Sequence, residues 1–248
     1  MKIAICFYGL HPVECWKGIK NRKDVSHLLW KKNVFNYNDN IDIFMHSWST
    51  NRESQLIKEY NPLKYKIEKQ KDFSHKSYLK SKTEEHLLNK SYNLSWGEIQ
   101  YSVSYSMKQS VMLKKEYESN NNFTYDYVML ARMDLAWLVP LEFKTLNTNK
   151  FYNPIWGKNN IHIINSNYKS LLGNWFISNS NNIDKFSLLY DNLDKYIGNK
   201  FVSMHNVYKI HLDSFLSNEM IEYKYTDHTN KIIACDKQRF LTDKQLIL

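Results

Sequence analysis

Residues 125–135 read YDYVMLARMDL, in which an apolar run is followed at once by an arginine and, two residues later, by an aspartate. An uninterrupted apolar run such as residues 127–131 is typical of a strand buried on both faces of a parallel sheet. We therefore predict a buried strand that ends at Arg132. Residues two apart on an extended strand point to the same face, so the Arg132 and Asp134 side chains are expected to lie together.

Two earlier segments are built in the same way. KIAICFYG at 2–9 and DIFMHSWS at 42–49 each pass from an apolar run into glycine or polar residues. The clearest helix between the segments begins at Ser95, where Glu98 completes a capping box, and runs to Glu118. The other elements predicted in this half are a helix over 25–35 and a strand over 64–69. Alternation of strands and helices predicts an α/β fold with a mostly parallel sheet flanked by helices.

The pattern changes after Pro140, where short apolar runs alternate with Asn and Gly turns and two amphipathic stretches follow. This part is predicted to be α+β. Its predicted elements are strands at 151–152, 161–164, 175–177, 223–225 and 232–234 and helices over 183–197 and 206–220. We expect residues 1–138 and 139–248 to form two halves of a single compact domain.

Polar and aromatic residues directly follow the three strongest predicted strands. Parallel strands joined by crossovers leave their carboxyl ends along one edge of the sheet, and open α/β sheets bind ligands at that edge. The tripeptides expected there are Tyr8-Gly9-Leu10, His46-Ser47-Trp48 and Arg132-Met133-Asp134. The sequence therefore predicts a ligand site formed by these three strand ends.

Composition excludes several classes of protein. The 248 residues carry 34 Lys and Arg against 25 Asp and Glu, a net charge of +9, and 43% are hydrophobic, which excludes a disordered chain. Three cysteines without a CxxC pair exclude a disulfide scaffold and argue against a thiolate zinc site. The chain has no apolar window long enough for a membrane span, no signal-peptide pattern, and neither a Walker loop nor GxGxxG. We expect a cytoplasmic protein.

The chain resembles small bacterial and viral glycosyltransferases of the GT-A type, which include capsular and lipopolysaccharide-type transferases. The resemblance is carried by the three strand segments, by IQYSVSYSMKQSVMLKKEYE at 99–118 and by NWFISNSNNIDKFSLLYDNLDKY at 174–196. It implies a GT-A-like, Rossmann-related sheet, a nucleotide-sugar donor bound by residues 1–138, and a saccharide or lipid-linked saccharide acceptor bound by residues 139–248. It also implies a divalent cation, Mn²⁺ or Mg²⁺, with Asp134 as its ligand.

The sequence departs from the family pattern at two positions. GT-A enzymes usually carry Asp-x-Asp where this chain has Arg132-Met133-Asp134, and Asn174 stands where an acid is expected. One carboxylate is a small ligand set for Mg²⁺ or Mn²⁺. The Arg132 guanidinium can bind a diphosphate in bidentate fashion, so Arg132 and Asp134 are the expected catalytic residues. The alternative is an ordinary Arg–Asp pair at a strand end.

Donor and acceptor contacts are expected from the residues around these strand ends. Aromatic rings can stack on a nucleobase, and glycine lets a ligand approach the backbone. The expected donor-binding residues are Phe7, Tyr8, Gly9, His46, Ser47, Trp48, Gln100 and Ser104. Asn174 and Trp175 are expected to bind the acceptor, because sugars offer an apolar face to rings and hydroxyls to amides. Each of these residues also has a structural interpretation, as a core ring, a turn glycine or a solvated polar group.

Several roles stay open at this stage. His11 is a candidate phosphate contact or a surface histidine before proline. Asp184, Asp213 and Glu219 are candidates for the general base of an inverting reaction by residue type alone.

The expected function is transfer of a sugar in surface polysaccharide or glycan synthesis, and two alternatives remain. One is transfer of a phosphoryl-type substituent onto a capsule sugar. The other is non-catalytic nucleic-acid binding, because a basic chain with 15% aromatic residues suits single strands. The lysines are dispersed and no RNA-binding or helix-turn-helix pattern is present, so nucleic acid is not the expected partner. A charge of +9 also predicts peripheral association with an anionic membrane surface, at the inner face of the membrane.

Overall fold

Strands and helices alternate through most of the chain. The computed structural model describes residues 1–15, 26–76, 88–89, 94–155, 171–197, 203–225 and 235–237. The strands within these ranges are β1 (Ile3–Gly9), β2 (Ile41–Ser47), β3 (Lys64–Ile67), β4 (Leu88–Asn89), β5 (Leu94–Ser95), β6 (Tyr127–Arg132), β7 (Leu135–Trp137), β8 (Phe151–Ile155), β9 (Trp175–Ser178), β10 (Ile221–Tyr225) and β11 (Cys235–Lys237). The α-helices are α1 (Pro12–Cys15), α2 (Ser26–Asn33), α3 (Glu53–Tyr60), α4 (Trp96–Asn121), α5 (Ser180–Ser187), α6 (Leu189–Ile197) and α7 (Met204–Asp213).

Seven of the strands form one mixed, mostly parallel sheet in the order β10-β8-β9-β6-β1-β2-β3. β1 lies between β2 and β6 and is parallel to both, and β3 and β10 are parallel to their neighbours. β9 is antiparallel to β6 and to β8. The predicted α/β class with a mostly parallel sheet is confirmed, and the arrangement fits a Rossmann-like fold.

The central strand β1 is buried on both faces, as its apolar run predicts. Alternate residues from Ala4 to Tyr8 face α4 and the later helices, and those from Ile3 to Phe7 face the layer that contains α2 and α3. The Phe7 ring packs against Trp30 and Tyr60, with ring centroids 4.9 Å apart in both pairs. Burying one large apolar side chain contributes roughly 1.5–3 kcal/mol, so this packing fixes β1 from both sides.

The long helix α4 covers β1 and β2 on one face of the sheet. Ser104, Ser106 and Ser110 are buried on it, and these small side chains let the helix approach the strands closely. The helix continues to Asn121, past the predicted end at Glu118. It stops there because Asn122 adopts a left-handed φ of 54°, a conformation that asparagine tolerates at helix ends.

The later part of the chain, from residue 135 onward, differs from the predicted elements in three places. The predicted helix over 183–197 is two helices, α5 and α6, which are separated at Leu188 although the apolar period continues across the break. The predicted helix over 206–220 ends at Asp213, and residues 218–220 form a separate 3-10 turn. β7 was not predicted, because three residues are too few to show a period, and it pairs with β11. The strands predicted at 161–164 and 232–234 lie outside the described residues.

A membrane-spanning helix needs about 20 apolar residues. Among the helices of the described ranges, none has the length and hydropathy that a bilayer crossing requires.

Candidate functional site

Three strand ends meet at the carboxyl edge of the large sheet. Tyr8 of β1 lies opposite His46 of β2 and Arg132 of β6, and Gly9 lies opposite Ser47. Residues in register on neighbouring parallel strands point to one face, so Tyr8, His46 and Arg132 lie on the side that α4 covers. We call this region the edge site, defined by Gly9, His46, Glu68, Ser106, Arg132, Asp134 and Asn174.

Gly9 forms the turn at the end of β1. Its φ of 103° lies where side chains other than glycine are strained. Its N–H donates to Ser106 Oγ at 2.9 Å, and its carbonyl accepts from Ser47 Oγ at 2.9 Å and from the Trp48 N–H at 3.2 Å. In the described part of the chain, no atom lies within 4 Å of the point a Cβ would occupy. The turn is therefore fixed in shape and open to a close approach by a ligand.

His46 supports this turn from the buried side of β2. Its side chain is fully buried, its Nδ1 lies 2.7 Å from Ser106 Oγ, and its Nε2 lies 3.2 Å from Glu68 Oε1. Burial lowers the pKa of His46 to about 4, although the carboxylate of Glu68 opposes that shift. The imidazole is therefore neutral near pH 7. Because the ionised carboxylate of Glu68 can only accept, Nε2 carries the ring proton and donates to Oε1, and Nδ1 accepts from the Ser106 hydroxyl.

Glu68 follows β3 and extends the edge by one strand. Its Oε1 accepts from His46 Nε2 and, at 3.0 Å, from the Tyr105 hydroxyl, and Lys66 Nζ lies at 3.3 Å. Burial favours the protonated acid, but the hydrogen bonds from His46, Tyr105 and Lys66 outweigh it and lower the pKa of Glu68. The carboxylate is therefore ionised and held in one orientation.

The Trp48 ring packs against other aromatic side chains and does not lie at an open surface. Its ring stacks on Tyr105 with centroids 5.5 Å apart and meets the His46 ring edge-on at 4.6 Å. Phe73 and Tyr190 pack on the other sides of Tyr105. The side chain is buried, so its contribution to the edge site is to hold His46 and Tyr105 in place.

Arg132 and Asp134 form a bidentate ion pair at the end of β6. The guanidinium donates from Nε to Oδ1 and from Nη2 to Oδ2, both at 2.7 Å. The Asp134 side chain is 1% exposed and that of Arg132 is 23% exposed. The carboxylate is thus enclosed, and the pair presents its cationic half toward solvent. A bidentate carboxylate also fixes the plane of the guanidinium.

The residues found here do not fit a protein-held divalent cation. Both oxygens of Asp134 accept hydrogen bonds from Arg132, so they are poorly placed to bind a metal cation as well. No group of three His, Cys, Asp or Glu side chains suited to a metal ion occurs in the described ranges. Mn²⁺ and Mg²⁺ require several oxygen ligands, so Asp134 alone does not provide a site for such an ion.

Tyr8 and Tyr208 lie on the same side of the sheet as Arg132. The Tyr8 hydroxyl donates to the Gly173 carbonyl at 2.8 Å. Burial raises the pKa of both phenols, and the nearby Arg132 charge offsets only part of this effect. Both hydroxyls therefore stay protonated, and Tyr8 acts as a fixed hydrogen-bond donor.

Asn174 and Trp175 face different surroundings. The Asn174 carbonyl accepts the Arg132 backbone N–H at 3.0 Å, which places Asn174 at the edge site. Trp175 is fully buried, and its ring lies 5.6 Å from that of Trp137 in the core on the other face of the sheet. The structure thus places the indole in the core and not where a sugar would contact it.

Other candidate donor and phosphate contacts are enclosed. Phe7 lies in the core, and Gln100 and Ser104 are buried in α4, where the Ser104 hydroxyl donates to the Gln100 carbonyl at 2.7 Å. His11 is fully buried, with Nε2 3.2 Å from Glu59 and Nδ1 accepting the Val13 N–H. These contacts give each residue a structural role.

The three candidate bases lie away from the edge site. Asp184 accepts from the buried Lys114, eight residues and about 12 Å along α4 from Ser106. Asp213 pairs with Lys209 on α7, and Glu219 is exposed beside Ser217. The structure therefore brings none of them to Arg132.

Two surface grooves lie elsewhere on the molecule, and edge-site residues line neither. One of about 530 Å³ lies by the amino end of β2, between Asp42, Tyr60 and Leu63. The other, of about 510 Å³, lies beside the carboxyl end of α4, between Lys115, Phe123 and Asp184. Neither groove combines a partly exposed arginine with an open glycine turn, as the edge site does with Arg132 and Gly9.

Comparison of the chain with models of known protein families and with curated protein sequences found no match.

Proposed function

We propose that the chain is a glycosyltransferase of the GT-A type, which moves a sugar from a nucleotide-diphosphate donor to a saccharide acceptor. The observation that carries this proposal is the Arg132 guanidinium at the carboxyl edge of the sheet. It is oriented by the buried Asp134 and lies one strand from the open turn at Gly9. Cleavage of the glycosidic bond leaves negative charge on a diphosphate, and a fixed guanidinium stabilises that charge.

The remaining edge-site residues orient the donor in this proposal. Gly9 allows the diphosphate to approach the backbone, and Ser106 with neutral His46 holds the turn in shape. Asn174 flanks Arg132 on the side of β9, where the acceptor would enter. Asp134 is a positioning residue, because it acts on the substrate through Arg132.

The proposal extends to the surroundings in which the enzyme works. The net charge of +9 favours approach to an anionic membrane surface, where lipid-linked saccharides are found. We therefore propose a cytoplasmic, peripherally bound enzyme of polysaccharide or glycan synthesis.

The test begins with binding of UDP-, GDP- and CDP-sugars, followed by thermal unfolding with and without Mn²⁺. A donor at 100 times its Kd raises the free energy of unfolding by about 2.7 kcal/mol. The best donor is then used to assay transfer and donor hydrolysis by wild type, Arg132→Lys and the matched Arg52→Lys. Lysine keeps the charge but loses the bidentate fork, so we expect kcat to fall by about 10²–10³ in Arg132→Lys.

Two outcomes would overturn the assignment. Full activity of Arg132→Lys would remove Arg132 from the chemistry. The absence of both binding and cleavage for every nucleotide sugar would remove the proposed function. Turnover of a phosphoryl-type donor alone would support the second transferase hypothesis instead.

A further inference from the structure

His205 lies on the first turn of α7, at the same edge of the sheet as Arg132. β9 is antiparallel to β6 and therefore begins at that edge, and residues 171–174 lead into it. Leu171 binds His205 twice, because its N–H donates to the His205 carbonyl at 3.2 Å and its own carbonyl oxygen lies 2.8 Å from the ring Nδ1. His205 is therefore on the β9 side of the edge site, where the acceptor would enter in the proposed function.

Residues 171–174 connect His205 with Arg132. Asn174, at the far end of this segment, accepts the Arg132 N–H through its carbonyl at 3.0 Å. Three residues of chain span at most about 10 Å. In inverting glycosidases, the two groups that flank the anomeric carbon lie roughly 6.5–9.5 Å apart, which leaves room for the attacking oxygen. The length of the segment is comparable with that separation.

Gly173 forms the surface between the two side chains. It is partly exposed, whereas the other three residues of the segment are buried. Its carbonyl accepts from the Tyr8 hydroxyl at 2.8 Å, and the ring of Tyr208, one turn after His205 on α7, leaves no room for a Cβ at this position. Within this segment, a glycine backbone and no large side chain therefore lies at the surface between Arg132 and His205.

The His205 ring is held in one tautomer. The Leu171 carbonyl oxygen can only accept, so Nδ1 carries the proton of the neutral ring and donates it. Nε2 is then the basic nitrogen, and the residue is exposed. A backbone carbonyl that accepts from one ring nitrogen leaves the other to act as a base, and histidine titrates closest to neutral pH among the side chains.

The other titratable side chains described beside Arg132 are not placed to take a proton. Asp134 binds the guanidinium through both oxygens, and burial keeps the phenols of Tyr8 and Tyr208 protonated. Among the described residues on this side of the edge site, His205 therefore has the geometry of a base.

We propose that His205 is the general base of the transfer. As the acceptor hydroxyl oxygen bonds to the anomeric carbon, its proton passes to Nε2, and the bond from that carbon to the diphosphate oxygen breaks with its electron pair. Nε2 then releases the proton to solvent. This inference rests on the proposed function, because it takes the reaction to be glycosyl transfer. It adds that the product has inverted configuration, since the base acts on the face of the sugar opposite the leaving group.

The experiment measures hydrolysis of the UDP-, GDP- or CDP-sugar that binds best, with water as the acceptor, so that no saccharide has to be identified. We compare kcat/KM from pH 5 to pH 9 for wild type, His205→Gln and the matched His75→Gln, an exposed histidine outside the edge site. General base catalysis contributes about 10²–10⁴, so His205→Gln should lose that factor and the fall in rate on the acid side. His75→Gln should keep both.

Two further measurements separate a base from a structural residue. Added imidazole should restore part of the rate of His205→Ala, and the Kd of the matching nucleoside diphosphate should stay within about twofold in both His205 variants. The nearest charge along α7 is that of Lys209, which donates to Asp213 and Asn218, and residues 171–174 carry none. The acid limb of the pH profile is therefore assigned to His205.

The possible results separate the inference from the proposed function. Hydrolysis that depends on Arg132 but keeps its rate and pH profile in His205→Gln overturns the inference and leaves the function standing. A wild-type product that retains the configuration of the donor, measured by NMR, also overturns it, and this measurement needs no variant to fold. If wild type cleaves no nucleotide sugar, the proposed function and the inference both fail.

Discussion

Two clusters of buried charge lie beside α4, and they are built in opposite senses. The Lys114 cluster consists of Lys114, Glu118, Ser180 and Asp184. Its cation is fully buried and donates to Glu118 at 2.7 Å, to Asp184 at 2.6 Å and to Ser180. In the Arg132–Asp134 pair of the edge site, the Asp134 carboxylate is enclosed and the Arg132 side chain is partly exposed.

This difference separates a charge that holds the fold from a charge that can bind a ligand. In the Lys114 cluster, the lysine ammonium donates to Glu118, Ser180 and Asp184 of the chain itself. Burial raises the pKa of Asp184, although the charge of Lys114 opposes that shift. At the edge site, Asp134 binds one side of the guanidinium, and 23% of the Arg132 side chain is exposed. Removing a charge should therefore change mainly stability in the first cluster and mainly ligand chemistry in the second.

The largest expected effect is that of Lys114→Met. Methionine has a similar length but leaves Glu118 and Asp184 without their buried cation, and breaking a buried ion pair from one side costs about 3–5 kcal/mol. We expect this loss in the free energy of unfolding, measured by urea titration. Affinity of the folded protein for the proposed nucleotide ligand should stay within about twofold, because Lys114 lies about 12 Å along α4 from Ser106.

The Lys114 interpretation has an internal control. The triple variant Lys114→Met, Glu118→Gln, Asp184→Asn carries no uncompensated charge and should recover part of the loss. A loss below about 1 kcal/mol in the single variant would show that the cluster is a surface-type pair, whose contributions are of that size. The contrast with the edge site would then be wrong.

The two regions also differ in how far the sequence predicts them. Apolar runs that end in polar residues predict the strand ends at Gly9, His46 and Arg132, and the structure brings these ends together. Lys114 has no such signal, because it reads as a solvated lysine in KKEYE until folding places Asp184, 70 positions later, beside it. Long-range partners of this kind are set by packing and not by local pattern.

The same reason explains what was missed within the edge site. Ser106 is one of many polar residues on α4, and only the approach of the helix to β1 places it against Gly9. Glu68 directly follows β3, which ends at Ile67, but the predicted strand ran to residue 69 and so placed Glu68 inside the strand rather than at its end. Trp175 shows the converse, because a periodic pattern does not state which face of the sheet a ring will occupy.

The second-largest expected effect is a loss of folding stability at acid pH, which is caused by His46 of the edge site. The pKa of His46 falls from its ordinary 6.5 to about 4 on folding because the ring is buried. Between these values the unfolded chain binds a proton that the folded chain does not, so stability is complete above pH 6.5 and is lost as the pH falls to 4. The shift corresponds to about 3 kcal/mol.

The measurement compares urea unfolding of wild type and His46→Gln from pH 7 to pH 4, with the exposed His75→Gln as control. The slope between pH 6.5 and 4 has one contribution from His46 and another from the buried His211, whose pKa is also lowered by burial. We expect His46→Gln to lose the first contribution and the control to keep both. Glu68, Lys66 and Lys71 face the ring, and the lowered pKa of Glu68 adds its own loss only as the pH falls toward and below 4.5. An unchanged slope in His46→Gln would mean that the imidazole is not held neutral in the folded state.

The smallest expected effect is that of Gly9→Ala, and it bears most directly on the difference between binding and folding. A Cβ at φ 103° strains the backbone by about 1–2 kcal/mol, while no described atom obstructs it.

Asn122→Ala is the control, because Asn122 also has a positive φ and ends α4 at the far side of the sheet. Both variants should lose a similar amount of stability in urea. Only Gly9→Ala should also weaken binding of the proposed nucleotide ligand, by about tenfold, because its methyl group would occupy the open side of the turn. Equal affinities in the two variants would mean that the turn shapes the fold without touching the ligand.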